Sequence, residues 1–127
     1  MAKWGTTMTV MQMVKDFAEV TGQEPNPKMS LRLVLEEFSE FWDEVEEEHR
    51  DFAPEDTVAV LKELSDLVYV IYGYANARGW DLDEALKRIH QNNIGRCVQP
   101  DGSILRREDG KIIKNKDYPK VELGDLV

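Results

Sequence analysis

Five carboxylates stand at spacings that suit a divalent cation: Glu36, Glu37 and Glu40 in one segment, Glu63 and Asp66 in another. An ideal helix advances about 100° per residue, so Glu36 and Glu40 differ by about 40° and Glu37 and Glu40 by about 60°. All three project from one broad face. Glu63 and Asp66 are also three apart, about 60° from each other. If the two segments are antiparallel helices, these faces meet and form a nest of oxygen ligands. Glu63 and Asp66 lie beside Leu64, Leu67 and Val68, in the most apolar part of the chain. A carboxylate in such surroundings needs a partner or is driven to its neutral form. No lysine or arginine stands at a matching position near Glu36, Glu37 and Glu40, so the carboxylates are expected to lack a cation of the protein's own. A metal ion would remove their mutual repulsion. An all-oxygen donor set favours magnesium or manganese over zinc or iron.

Other candidates carry less chemistry. Glu44, Glu46, Glu47 and Glu48 read as a solvated helix face. Glu46 and His49 form a single Glu-x-x-His, whereas helical di-iron sites need two copies. His49 therefore reads as a surface residue and His90 as a hydrogen-bonded structural one. Cys97 is the single cysteine, which supports neither a zinc site nor a disulfide and fits a reducing compartment.

Four helices must position the carboxylates. Met8, Val10, Met11, Val14, Phe17 and Ala18 recur at spacings of three and four, which predicts a helix over residues 7–20 capped by Thr7 or Thr9. Thr21-Gly22 ends it, and the proline-containing stretch 23–28 reads as a loop. Ser30 is the expected cap of a second helix reaching about Arg50. Pro54, Glu55 and Asp56 suit the start of a third, from about Glu55 to Arg78, stopped by Gly79. This third helix is apolar nearly all round and so is expected to be central. Asp81 or Asp83 caps a fourth, to about Asn92. Ile104–Arg107 and Lys111–Lys114 flank Glu108-Asp109-Gly110, a hairpin signal. The chain from Asp117 onward reads as extended or flexible.

The sequence has 127 residues, 42% of them hydrophobic, and a formal charge of -9. That suits one domain spanning 1–127, with a helical core of about 7–93 and a basic segment of about 96–120. The negative charge disfavours nucleic acid and anionic membrane as partners. The longest apolar run, Leu67–Tyr72, is too short to span a bilayer. A cytoplasmic protein is the expectation. From Arg96 to Lys120, seven basic residues face four acids, a local positive patch in an acidic chain. Such a patch suits an anionic substrate.

Glu36-Glu37-Phe38-Ser39-Glu40 followed by Glu63-Leu64-Ser65-Asp66 resembles the EExxE…ExxD signature of the all-α nucleoside triphosphate pyrophosphohydrolases. The stretches Leu67–Gly73, Ile89–Asn93 and Asp101–Lys111 resemble the MazG-like, phosphoribosyl-ATP pyrophosphohydrolase-like branch, over roughly residues 10 to 120. The resemblance implies an all-α, four-helix-bundle-type MazG-like fold with a short C-terminal β-hairpin or extended tail. It implies two or three Mg²⁺ ions per site, with Mn²⁺ also accepted, held by Glu37, Glu40, Glu63 and Asp66 with Glu36 close by. These ions would bind the triphosphate as the bond at its α-phosphorus breaks, releasing pyrophosphate and a nucleoside monophosphate. Glu36 is the expected base that orients the attacking water, and a further metal ligand. Asn93, Arg96, Arg107 and Lys111 are the phosphate-contact candidates by the same analogy. Arg96 stands where relatives often carry lysine and Arg106 where an aromatic is common, which leaves the individual phosphate contacts open.

Base recognition is less legible. Trp42, Tyr69 and Tyr72 could stack on a base, although aromatics at helical spacing are more often core. Trp4, Met8, Met11 and Gln12 could line the same pocket. Guanine or pyrimidine deoxynucleotides (dGTP, dUTP or dCTP) are the expected substrates. The alternatives are phosphoribosyl-ATP hydrolysis and a non-enzymatic helical interaction protein. Phe41, Val45, Tyr69, Ile71 and Tyr74 exceed the needs of one small core, and family members form dimers and tetramers. A homodimer or homotetramer is expected.

Overall fold

A computed structural model describes residues 7–51 and 54–127, and the side chains of these apart from 48–51 and 54–56. The expectations for Trp4, Glu48 and His49 lie outside the described residues. The chain divides into two compact units, Met1–Asp81 and Leu82–Val127. Among the described residues there are four α-helices and no strands.

The first unit holds α1 (Val10–Thr21), α2 (Pro27–Asp51) and α3 (Pro54–Arg78). Thr9, not Thr7, caps α1. Its hydroxyl accepts the Gln12 N–H at 3.2 Å, and the Gln12 side chain accepts the Thr9 N–H at 2.8 Å. This reciprocal pair satisfies two backbone donors that a helix start leaves open. Gly22 ends α1 in the left-handed region at φ 66°, which frees the last carbonyls to accept from Gly22 and Gln23.

The second helix begins at Pro27, three residues before the expected cap at Ser30. Asn26 takes the capping role: its side chain accepts the Met29 N–H at 3.1 Å and its carbonyl accepts the Ser30 N–H at 3.0 Å. Pro27 then fills the first helical position, where its missing N–H costs nothing. The third helix stops as expected, with Gly79 at φ 75°.

Because α2 ends at Asp51 and α3 starts at Pro54, the two run antiparallel as a helical hairpin. Residues equally far from the turn lie opposite each other. Glu37 and Asp66 each stand roughly 20 Å from it, at a rise of about 1.5 Å per residue. The core of the unit comprises Met11 and Val14 from α1 with Leu67, Tyr72 and Ala75 from α3. The third helix is thus only partly enclosed. Leu61 is 63% exposed and Leu64, Val68 and Ile71 are about 40% exposed. Its apolar circumference exceeds what α1 and α2 cover, contrary to a fully central helix.

In the second unit α4 (Leu82–Cys97) runs five residues beyond the expected end at Asn92, so Asn93 and Arg96 lie on its last turns. The expected β-hairpin is not formed. The Asp109-Gly110 turn does close, with the Arg107 N–H on the Lys111 carbonyl at 2.8 Å, but pairing is limited to isolated bridges, Val98 with Ile104 and Arg106 with Ile112. Ile104, Leu105 and Ile113 stay exposed. A two-stranded ribbon with no layer to bury has too little to sustain a longer ladder.

The segment after Asp117 folds back on α4 instead of running free. The Arg88 guanidinium donates to both Asp125 carboxylate oxygens, at 2.6 and 2.9 Å, and to the Glu122 carbonyl at 3.2 Å. The Asn92 amide donates to the Pro119 carbonyl at 2.7 Å, and Tyr118 lies against Gly95, where any Cβ would collide with its ring. No described helix is long and apolar enough to cross a membrane.

Candidate active site

The helical hairpin brings three of the five carboxylates together. Glu37 of α2 and Glu63 and Asp66 of α3 each offer an oxygen, all within 4.8 Å of one another, and all three side chains are half-buried. One oxygen of Glu37 and one of Glu63 are buried with no hydrogen-bond partner. Such atoms carry an uncompensated desolvation cost unless something binds them. The Glu37 carboxyl is held above its ordinary range, first by burial, then by Glu40, Asp66 and Glu63. Glu40 is exposed yet close enough to act on Glu37, whereas Glu36 is exposed and stands outside the three-carboxylate group.

The expectation that this cluster lacks a protein cation is corrected. The Lys62 ammonium lies 2.6 Å from Asp66 and 3.6 Å from Glu63. Asp66 and, secondarily, Glu63 raise the Lys62 pKa. The pairing is an i,i+4 contact within α3, so its sequence signal lies along one helix and not across the two. One ammonium leaves most of the negative charge uncompensated, and it reaches neither orphaned oxygen. The donor set fits a hard divalent cation: carboxylate oxygens only, with no histidine or thiolate among them.

Beside the carboxylates lies a cavity of about 500 Å³, wholly within the first unit. Glu37 and Asp66 line one part of it. Val14, Phe17, Leu33 and Val70 supply apolar wall, and Gln23, Glu24, Asn26, Ser30 and Asn76 supply polar groups. Tyr69 also lines it and meets Phe17 edge-on at 5.9 Å. Burial, then the Asp16 charge, holds the Tyr69 hydroxyl above its ordinary pKa, which keeps it a neutral donor.

The three aromatic candidates separate. Tyr69 is in the cavity wall and Tyr72 is buried in the core. Trp42 is exposed, stacks on Phe38 at 6.5 Å and donates its indole N–H to Glu46. Met11 belongs to the core and Gln12 to the α1 cap, so neither lines the cavity. Gln23, Glu24 and Asn26, between α1 and α2, line the cavity from a stretch whose prolines signal only a loop. Helix-interior Gly73, also in the cavity wall, was the one available signal on α3.

The phosphate candidates all belong to the second unit. Asn93 is exposed and Arg96 half-buried on the last turns of α4. Arg107 is engaged by Asp109 in a two-pronged contact, and Lys111 is exposed, with its backbone N–H on the same carboxylate.

No curated protein matches the chain. The family model for phosphoribosyl-ATP pyrophosphohydrolase matches residues 14–93, which encloses the five carboxylates, the whole cavity lining and Asn93. That match covers more than half of the 127 residues, and the all-helical architecture agrees with it: the chain belongs to the phosphoribosyl-ATP pyrophosphohydrolase family, within the MazG-like all-α nucleoside triphosphate pyrophosphohydrolases.

Proposed function

We propose that this protein is a magnesium-dependent nucleoside triphosphate pyrophosphohydrolase that releases pyrophosphate and a nucleoside monophosphate. The observation that carries this reading is the convergence of Glu37, Glu63 and Asp66 with two unpartnered buried oxygens at the side of a nucleoside-sized cavity. Glu37, Glu63 and Asp66 would hold the ion, with Glu40 adding charge beside Glu37. A bound Mg²⁺ or Mn²⁺ neutralises triphosphate charge and eases departure of pyrophosphate.

The chain's own groups supply the rest. Glu36, exposed and one position before Glu37, accepts a proton from the attacking water. The water oxygen bonds to the α-phosphorus, the bond from that phosphorus to the bridging oxygen breaks, and pyrophosphate leaves with that oxygen. Arg96, Lys111 and Asn93 are candidates to steady the phosphate chain. Arg107 would first have to exchange Asp109 for phosphate.

The apolar stripes left exposed support a homo-oligomer. Leu31, Leu35, Phe38 and Trp42 follow one face of α2, and Leu61, Leu64, Val68 and Ile71 one face of α3. Residues on the two stripes lie at matching distances from the turn, and these stripes are the surface assigned to a second copy.

Purified protein assayed with Mg²⁺ against the common ribo- and deoxyribonucleoside triphosphates, with pyrophosphate as readout, tests the reading. Turnover to the monophosphate is expected, with dGTP, dUTP and dCTP as leading candidates. No turnover of any of them, or products of diphosphate plus phosphate, would overturn it. A non-enzymatic binding protein would tolerate Asp66→Asn without loss of function.

A further inference from the structure

We infer that the cavity beside the carboxylates receives an uncharged nucleobase laid against Gly73, that Asn76 reads its edge, and that a base bearing a phosphoribosyl group is rejected. The inference rests on the reading of the carboxylates as the catalytic centre.

The cavity has a direction. Along α3 its wall runs from Asp66 through Tyr69, Val70 and Gly73 to Asn76, and along α2 from Glu37 back to Met29 and then to Asn26, just before the helix. At a rise of about 1.5 Å per residue, Asn76 stands roughly 15 Å beyond Asp66. A triphosphate held at the carboxylates therefore directs its nucleoside toward Gly73 and Asn76.

Gly73 has no packing reason to be glycine. It lies inside a helix, where glycine is the poorest choice apart from proline. A Cβ placed on it would meet nothing within 4 Å, and its backbone is ordinary helix. The glycine thus leaves open space in the cavity wall, between the aromatic Tyr69 and the amide of Asn76. That space suits the flat face of a ring. The Asn76 amide offers a donor and an acceptor side by side, the pattern that reads a base edge.

Charge at the far end selects the substrate class. Gln23, Glu24, Asn26, Ser30 and Asn76 are the polar groups there, and none of the described lining residues is lysine, arginine or histidine. Phosphoribosyl-ATP carries a second phosphate on a ribose attached to its adenine, at the end opposite the triphosphate. In this cavity that dianion would meet Glu24 and neutral amides instead of a cation. Like charges without a counter-ion are strongly disfavoured in a partly enclosed site. A nucleoside triphosphate with a free base brings no such charge.

The test combines binding and turnover on the full chain. Backbone amide NMR shifts of Gly73 and Asn76 are followed while nucleosides without phosphate are added, in the absence of metal. Steady-state kinetics then compare wild type, Gly73→Ala, Gly73→Leu and Asn76→Ala on the best nucleoside triphosphate and on phosphoribosyl-ATP. Gly73→Ala should fold at least as well as wild type, since nothing obstructs its methyl group. We expect nucleoside-dependent shifts at both amides, a KM raised about tenfold or more by Gly73→Leu, and a smaller rise in Gly73→Ala. Asn76→Ala should change the ratio of kcat/KM between two bases, which a purely structural role would leave constant. Equal or better kcat/KM on phosphoribosyl-ATP, or an unchanged KM in folded Gly73→Leu, would overturn the inference while leaving the hydrolase reading intact. Nucleoside shifts at Gly73 without any triphosphate turnover would uphold the cavity assignment and overturn the hydrolase reading.

Discussion

Lys62 and Asp66 stand one turn apart on α3 with the ammonium 2.6 Å from the carboxylate, on the flank of the three-carboxylate cluster. The lysine therefore competes with any cation that Asp66 binds. Lys62 is two-thirds exposed, so its hold is that of a weak, solvent-screened surface ion pair. Lys62→Met should tighten Mg²⁺ binding by up to about fivefold, measured by calorimetry at low ionic strength. Weaker binding in the variant would show that the lysine orders the site instead of competing for it.

Glu37 should be a residue whose loss stabilises the metal-free protein. Its carboxyl is pushed up by burial and by three neighbouring acids, and one of its oxygens has no partner. The amide of Glu37→Gln removes a like charge and can donate to Glu63. Thermal unfolding without metal should show a gain of about 1 kcal/mol. Turnover should fall by about a hundredfold or more, because an ion held there contributes several kcal/mol of charge stabilisation. Added Mg²⁺ should raise the melting temperature of the wild type and not of the variant.

The paired apolar stripes lead to a prediction about assembly. Phe38 on α2 and Val68 on α3 lie at similar distances from the helical turn and are both exposed. An aspartate in place of either would put a charge in the middle of a subunit interface. Light scattering of Phe38→Asp and Val68→Asp should report monomers where the wild type is a dimer or larger. Both variants should retain helical circular dichroism, since neither side chain is in the core. A monomeric wild type would remove the premise.

The contact between α4 and the C-terminal segment should be lost in acid. Arg88 holds the Asp125 carboxyl below its ordinary value of 3.8. A carboxyl whose folded-state pKa is depressed contributes stability that is present above its unfolded pKa and disappears as pH falls through the folded one. The guanidinium, which Glu84 of α4 also holds at 3.0 Å, stays charged throughout, and protonation of Asp125 is what releases the C-terminal segment from it. The exchange protection of the Leu126 amide, whose N–H donates to the Leu123 carbonyl at 2.9 Å, should fall relative to the intrinsic rate below about pH 4. Asp125→Asn should show low protection already at neutral pH and no such transition.

Much of this protein is decided locally and can be read from the order of its residues. The helices over residues 10–21 and 54–78 follow from apolar spacing and from stops at Gly22 and Gly79, where the chain turns left-handed. The acidic spacing of Glu37, Glu63 and Asp66 is likewise local, because a helical repeat fixes which side chains share a face. The structure departs from local expectation where two local signals compete. Asn26 with Pro27 outweighed Ser30 as the start of α2, and the Asp109-Gly110 turn formed without the ladder that usually accompanies it.

What depends on two elements meeting was settled only in three dimensions. The rotation of α2 against α3 turns Glu37 toward Glu63 and Asp66 and leaves the adjacent Glu36 exposed outside the group. The same packing separates Tyr69, in the cavity wall, from Tyr72, in the core, and Trp42, at the surface. Their spacing cannot tell them apart, because helical periodicity defines a face and not what covers it. The cavity is a further step from the sequence: it is space left between helices, bordered by Gly73 and by the Gln23–Asn26 connection. No residue type encodes an absence, so the room for a base is visible only once the surrounding side chains have been placed.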